Sequence, residues 1–389
     1  MESQETFIVK NRHAATFALT TLAILAALPT LCAAQGNVTL YGIVDTGVAY
    51  LSNQGGGQAW KTQSSNLSGS RWGLRGAEDL GDGLQAIFLL ENGFDINSGA
   101  MAQGKREFGR QAYVGLKSRR YGALTFGRQY ESVLQYVGRL SSAAQWASIV
   151  GAHVAGMDDL APAFRVNNAI KYTSVNYNGF SFGGLYGASN QAGEFATNRA
   201  WSLGARYSHG PLVLALGYFV LNHPAAPGTA GAVGASGAGT GSDYRGAFAL
   251  KALDGSGTIT RHQTFAAGGS YIAGRATLGL VYSHVLFDAT GASARADNYE
   301  INGRYQASPA LLLGAAYVYT DGRSDTGQRP KYHQINLGAD YFLSKRTDLY
   351  LVGLYQRAAG DAQNAELNML PASSTNVQTE VMAGIRHVF

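Results

Sequence analysis

Residues 298–306 alternate without a break, with Asn298, Glu300, Asn302, Arg304 and Gln306 on one parity and Tyr299, Ile301, Gly303 and Tyr305 on the other. A period of two puts alternate side chains on opposite faces of a strand, one wet and one apolar. The pattern recurs in segments of about ten residues. His333, Ile335, Leu337, Ala339 and Tyr341 oppose Gln334, Asn336 and Asp340, and Val377, Val381, Ala383, Ile385 and Phe389 oppose Gln378, Glu380, Met382, Gly384 and Arg386. A chain written this way must become antiparallel sheet, either a soluble sandwich with its apolar face inward or a membrane barrel with its apolar face outward.

The connections decide between the two. Short ones fall near residues 79–83, 118–122, 177–179, 209–211, 273–275, 307–309 and 343–346. Long ones fall near 51–66, 95–107, 130–164, 189–198, 222–260, 287–295, 321–330 and 358–376. Alternation of tight turns with long loops is the asymmetry of an outer-membrane barrel. The count gives an all-β, sixteen-stranded antiparallel transmembrane β-barrel, wide enough to leave an aqueous channel. Helical spanning is excluded, because beyond the first thirty residues no apolar run approaches the roughly 20 residues a bilayer requires. Mean hydropathy is −0.07 with 14% charged residues, well under the roughly 25% of soluble domains.

The first residues read as an export signal. Lys10, Arg12 and His13 precede an apolar run from Ala14 to Leu28, then Pro29 and the small pair Ala33-Ala34, so residues 1–34 are expected to be removed and 35–389 to form one barrel domain. The single Cys, Cys32, leaves with them, and with it any disulfide or thiol chemistry. The segment removes two acids and two bases, so the net charge of +5 is unchanged. Nucleic acid is not an expected partner of an exported chain.

Among the long connections, 130–164 stands out. It carries Trp146, Ile149, Val150, Met157, Leu160 and Phe164 beside His153, Asp158 and Asp159. A long loop rich in large apolar groups packs onto something, and the expectation is that it folds back into the barrel and narrows it. By contrast 227–242 is almost wholly Gly, Ala, Ser and Thr, a flexible outer-loop tip.

Strand parity names the lumen. Trp72 and Leu74 share the outer face, which turns Arg71 and Arg75 inward; Leu84, Ala86, Phe88 and Leu90 face out, which turns Glu91 inward; Ile170 and Tyr172 face out, so Arg165, Asn167 and Lys171 face in, and Arg110 joins the same wall. A guanidinium stays charged wherever it stands. In hydrocarbon it would cost roughly 2–4 kcal/mol at the midplane, whereas in water two of them about 4 Å apart repel by only about 1 kcal/mol. Glu131, Asp158 and Asp159 on the loop are set opposite these arginines, giving a transverse field that filters ions by charge. The plainer alternative is a solvated Asp158-Asp159 turn with rim-exposed arginines.

Catalytic readings are weaker. None of the eight His has a metal-ligand spacing and none begins a His-x-Ser pair, and Glu78 and Asp79, being adjacent on a strand, point to opposite faces. No catalytic residue, metal or cofactor is expected.

Four stretches, 38–45 (VTLYGIVD), 70–81 (SRWGLRGAEDLG), 110–117 (RQAYVGLK) and 384–389 (GIRHVF), spread over the mature chain, resemble the Gram-negative general diffusion porins, most closely those of beta-proteobacteria. The resemblance implies a homotrimer in the outer membrane, a third outer loop folded inward as a constriction, and a wall arginine cluster at Arg71, Arg110 and Arg165. It also implies a second loop, near 95–107, that latches onto a neighbouring subunit with Arg128 as a candidate contact, and a terminal aromatic, Phe389, read by the barrel-assembly machinery. Lipopolysaccharide is an expected partner at the outer rim. The function implied is passive diffusion of small hydrophilic solutes and ions; Arg71, Arg110 and Arg165 against few clear loop acids add an expected mild anion preference. A substrate-specific porin with a saturable site, or a non-conducting barrel serving as adhesin or anchor, are the alternatives.

Overall fold

A computed structural model describes residues 37–161, 165–224, 231–234, 244 and 258–389. The expected signal, residues 1–34, and Phe164 lie outside the described residues. Seventeen strands form one sheet: β1 (Asn37–Gln54), β2 (Gly57–Ser64), β3 (Arg71–Gly81), β4 (Leu84–Gly93), β5 (Gln111–Ser118), β6 (Gly122–Gln129), β7 (Val166–Thr173), β8 (Phe180–Gly187), β9 (Arg199–His209), β10 (Leu212–Asn222), β11 (Ile259–Ala273), β12 (Ala276–Ala289), β13 (Ala292–Ser308), β14 (Leu311–Ser324), β15 (Pro330–Phe342), β16 (Thr347–Gly360) and β17 (Val377–Val388). Neighbours pair antiparallel, and β17 closes onto β1 through the register Ile43↔Val388 to Leu51↔Glu380. β2 pairs with one half of β1 (Thr46↔Ser64 to Gln54↔Gly57) and β3 with the other (Asn37↔Ala77 to Ile43↔Arg71). They are two halves of a single stave, so the closed barrel has sixteen.

The interruption at 65–70 has a local cause. Asp45, fully buried, accepts the Ser68 N–H at 2.7 Å and the Tyr350 hydroxyl at 2.7 Å, and Asn66 Nδ2 donates to the same Tyr350 oxygen at 2.8 Å. These bonds hold the chain off the ladder for six residues.

Two connections read as long are tight. Residues 51–66 contain the β1–β2 hairpin, turned by Gly55 and Gly56 at φ 63° and 112°, a region open to glycine. Residues 287–295 contain the turn between Ala289 and Ala292, because β12 and β13 run on as a paired hairpin well past the roughly 10 residues a membrane crossing uses. Within 227–242, residues 231–234 are not a free tip: Asn198 Oδ1 and Nδ2 bond Val233 N and O at 3.0 and 2.8 Å, and Asn167 N donates to Ala232 O at 2.7 Å. The remainder of that stretch lies outside the described residues.

The barrel wears its apolar face outward. Leu214, Leu216, Leu278, Leu280, Ile301 and Leu337 are exposed while their polar neighbours Ser283, Asn298, Glu300, Asn302, Gln334 and Asn336 are buried. Tyr121, Tyr177, Tyr271, Tyr305 and Tyr341 ring the short-turn end, and Tyr282, Tyr299 and Tyr319 adjoin across strands with ring centroids 5.2 and 6.3 Å apart nearer the other. Aromatic girdles at both edges of an apolar band mark the two membrane interfaces. Leu280 lies in the band at 64% exposure. Leu280→Arg is therefore expected to lower unfolding stability by about 2–4 kcal/mol in lipid vesicles; an unchanged guanidinium midpoint would put Leu280 off the lipid face.

Candidate functional site

Inside the barrel, a cavity of about 1180 Å³ lies between the wall from β2 to β7 and the segment joining β6 to β7. Six basic residues line it, Lys61, Arg71, Arg110, Arg139, Arg165 and Lys171, against two acids, Glu91 and Asp95. Glu91 is the organising group. Its Oε1 accepts from Arg110 Nε at 2.9 Å, its Oε2 accepts from the Tyr41 hydroxyl at 2.8 Å, and Arg71 Nε stands 3.5 Å from Oε2. One carboxylate thus spaces two guanidiniums and leaves an excess of positive charge. Beside them Arg165 lies over the Tyr130 ring at 5.1 Å and donates to its hydroxyl at 3.1 Å, while Lys171 Nζ donates to the Tyr130 carbonyl at 2.7 Å. Arg71, Glu91, Arg110 and Arg165 are brought together. Arg75 is not among them; it sits farther along β3, its guanidinium 5.3 Å over the Tyr41 ring.

The segment 131–161 is bonded to inward side chains of distant strands. It begins with a short helix, α1 (Ser132–Tyr136), whose first two free N–H groups, on Val133 and Leu134, are accepted by the Glu131 carboxylate at 2.5 Å each, an N-cap. Burial raises Glu131 above the ordinary carboxylate range despite those two N–H groups and the Lys171 ammonium. Ser202 binds Ser132, Asn302 Nδ2 donates to Leu140 O at 2.9 Å, and Gln334 Nε2 and Asn336 Nδ2 both donate to Gly151 O at 2.8 Å. After α2 (Ser142–Gln145), Trp146 lies flat on the wall where β14 and β15 carry Gly314 and Gly338.

At the centre stands a buried charge network. His153 Nδ1 meets Asp158 Oδ2 at 2.5 Å and its Nε2 meets Glu300 Oε2 at 3.0 Å; Ser283 Oγ donates to the same Asp158 oxygen at 2.5 Å, and Glu300 Oε1 accepts the Ser142 N–H at 2.6 Å. Burial alone would push His153 down, but the Asp158 and Glu300 carboxylates outweigh it and raise it to about 10. Burial likewise opposes ionisation of Asp158, and the His153 imidazolium more than offsets it, so Asp158 lies below the ordinary range. The loop acids set opposite the arginines by sequence reasoning are therefore placed otherwise. Glu131 caps a helix, Asp158 binds the far wall through Ser283, and Asp159, 1% exposed, takes a left-handed turn at φ 55°. Donors within the loop and on the wall offered Glu131 and Asp158 stronger partners than the water-filled gap.

Sequence reasoning missed two neighbours of this segment. Ile149 is held from both sides: its N–H donates to Asn66 O at 3.4 Å, and its carbonyl accepts from Asn368 Nδ2 at 2.8 Å. Asn368 belongs to the segment joining β16 and β17, which also turns inward, burying Ala365 and Leu367 completely and bonding Leu367 N–H to Gln378 Oε1 at 2.8 Å. The usable signal was the same one that singled out 130–164, large apolar residues (Leu367, Met369, Leu370) in a long polar connection.

Arg128 shares the outer face of Leu124 and Phe126, where its Nε donates to Gly109 O at 2.8 Å and its Nη1 to Asn167 Oδ1. Asn167, expected to face inward, meets it there because the register slips between Gly127 and Gln129 and Asn168 takes φ 51°. Phe389 exchanges two backbone hydrogen bonds of 3.0 Å with Gly42 and lays its ring against that glycine at the barrel seam.

A closed barrel, apolar outside and hydrogen-bonding inside, with a charged cavity along one wall, defines an outer-membrane channel. Comparison with known proteins names the kind. A pattern described as Gram-negative porin matches residues 18–361. The chain is 34% identical to an outer membrane porin protein of Bordetella pertussis over 94% of its own length and 98% of that protein's, and 30% identical to outer membrane porin protein 32 of Delftia acidovorans over 95% and 99%. Its fold matches the anion-selective porin from Comamonas acidovorans with a TM-score of 0.70 at 25% identity, covering 91% of this chain and all of that one. The chain belongs to the Gram-negative porin family. It is a channel of the outer membrane for passive diffusion of small hydrophilic solutes, and not an enzyme.

Proposed function

We propose that the segment 130–164 is the constriction of this channel and that the basic wall beside it imposes a mild preference for anions. The excess of six bases over two acids around the cavity carries this reading, because a water-filled path lined by one sign of charge concentrates the opposite ion. Arg71, Arg110 and Arg165, spaced by Glu91, supply the filter. Glu131, Asp158 and Asp159 serve it by holding the segment in place, and Arg75 extends the positive wall. The Comamonas relative, described as anion-selective, supports the same sign.

The working unit in this reading is a homotrimer, as for a Vibrio cholerae protein of this fold described in a trimer form; the segment 95–107 is the contact, with Arg128 beneath it. Phe389 is the residue read by the barrel-assembly machinery, and lipopolysaccharide is the lipid neighbour. In a planar bilayer with a KCl gradient, the reversal potential is expected to favour chloride, and Arg110→Ala to move it toward zero. A cation-favouring potential that Arg110→Ala leaves unchanged would refute the arginine filter.

A further inference from the structure

The cavity lining combines two unlike chemistries. Where acids were expected, apolar groups share the lining with the bases: Leu67 from the interrupted stave, Leu134 and Ile149 from the segment between β6 and β7, and Met369 and Leu370 from the segment between β16 and β17. Met369 is 47% exposed although it stands in a water-filled interior. A single exposed apolar side chain is ordinary. Here three separate pieces of chain bring such groups to one cavity, and the pieces are fastened together at Ile149 by Asn66 and Asn368. The strip is thus a built surface.

We infer that this channel favours organic anions with an apolar body, such as aliphatic carboxylates of several carbons, over small or inorganic anions of the same charge. The inference rests on the anion-preferring channel proposed above and assigns its substrate class. A carboxylate head at Arg71, Arg110 or Arg165 leaves its hydrocarbon chain within the same cavity, where these apolar side chains accept it out of water. A pore lined by acids in their place would repel the head and offer the chain no apolar surface. Methionine suits a transient, imprecise contact, since its unbranched, polarisable thioether adapts to varied shapes, and weak contacts let the solute leave as well as enter.

The test uses the full mature protein in planar bilayers carrying a chloride current, with potassium hexanoate or potassium acetate added to one side. Hexanoate is expected to depress the current saturably, with half-block at a concentration about tenfold below that of acetate, because four further methylenes gain contact. In the double variant Leu67→Ser/Met369→Ser the ratio of the two half-block concentrations, taken within the same channel, is expected to fall toward one. Met369→Ser alone, at an exposed position, is expected to lower it part of the way and guards against a folding defect in the double variant. A ratio near one in the native channel overturns the inference, as does a ratio that Met369→Ser and the double variant both leave intact. A cation-favouring reversal potential in plain KCl overturns instead the reading beneath it.

Discussion

Replacing Asp158 by alanine is expected to release the segment between β6 and β7 from the barrel interior while leaving the barrel closed. The substitution leaves the His153 imidazolium with Glu300 alone and the Ser283 hydroxyl without its acceptor, each of which bonds Asp158 at 2.5 Å, in a site where His153 and Asp158 are 2% and 1% exposed. Removing one partner of a buried pair destabilises by about 3–5 kcal/mol where the remaining charge is left uncompensated, and because Glu300 still faces His153 the loss here falls at the lower end of that range. The sixteen staves do not need that pair, since their ladders close without it. The loss therefore falls on the segment, and the expected observations are faster protease cleavage within 131–161 and larger, noisier single-channel currents. Asp158→Asn, which keeps the shape and removes the charge, should lie between. If cleavage and current steps match the native channel, the network does not hold the segment.

The same network sets a pH window. His153 is raised from 6.5 to about 10, so its contribution is fully present below pH 6.5 and is lost as pH rises through about 10. Asp158 is lowered from 3.8, so its contribution is present above that value and lost as pH falls below it. Current noise in the native channel should rise in strong alkali and in strong acid and stay low between. The alkaline rise should be smaller and begin at lower pH in Asp158→Ala, where Glu300 alone holds His153 up.

What the sequence disclosed and what it hid follow from the range of the forces involved. A barrel wall is solvated by lipid on one face and water on the other, so its register is written locally, residue by residue. That is why Arg71 and Glu91 could be turned inward from Trp72, Leu74 and Phe88 alone. The interior segments carry no such period. The partner of His153 is Glu300, 147 positions away, and the partner of Asn368 is Ile149, 219 positions away. Nothing within ten residues of Asp158 distinguishes a carboxylate facing arginines from one facing Ser283. Composition still showed that 130–164 would pack, and the same test applied to Leu367, Met369 and Leu370 would have found the second inward segment. The split stave at 65–70 was hidden for the same reason, as Asp45 and Tyr350 meet across the barrel seam.

Trp146 shows how the wall was shaped to receive the segment, and it yields the last expected result. A Cβ on Gly338 would lie 2.6 Å from the indole, and one on Gly314 only 2.2 Å. Both glycines sit in regular strand conformation, so Gly338→Val suits the strand itself and strains no backbone torsion. The clash falls wholly on Trp146, now 3% exposed. Expelling an indole from a packed site forfeits about 3–5 kcal/mol, the range for truncating a buried aromatic. In a background where Trp60, Trp72 and Trp201 are phenylalanine, Gly338→Val should shift Trp146 emission to the red and open it to acrylamide. Emission and quenching equal to the parent would mean the ring has room to move aside within the packed site. Because both changes act on one contact, Trp146→Ala added to Gly338→Val should cost little more than either alone. Full additivity would mean that the glycines and the tryptophan stabilise the channel independently, and that the smooth patch on β14 and β15 has some purpose other than seating this loop.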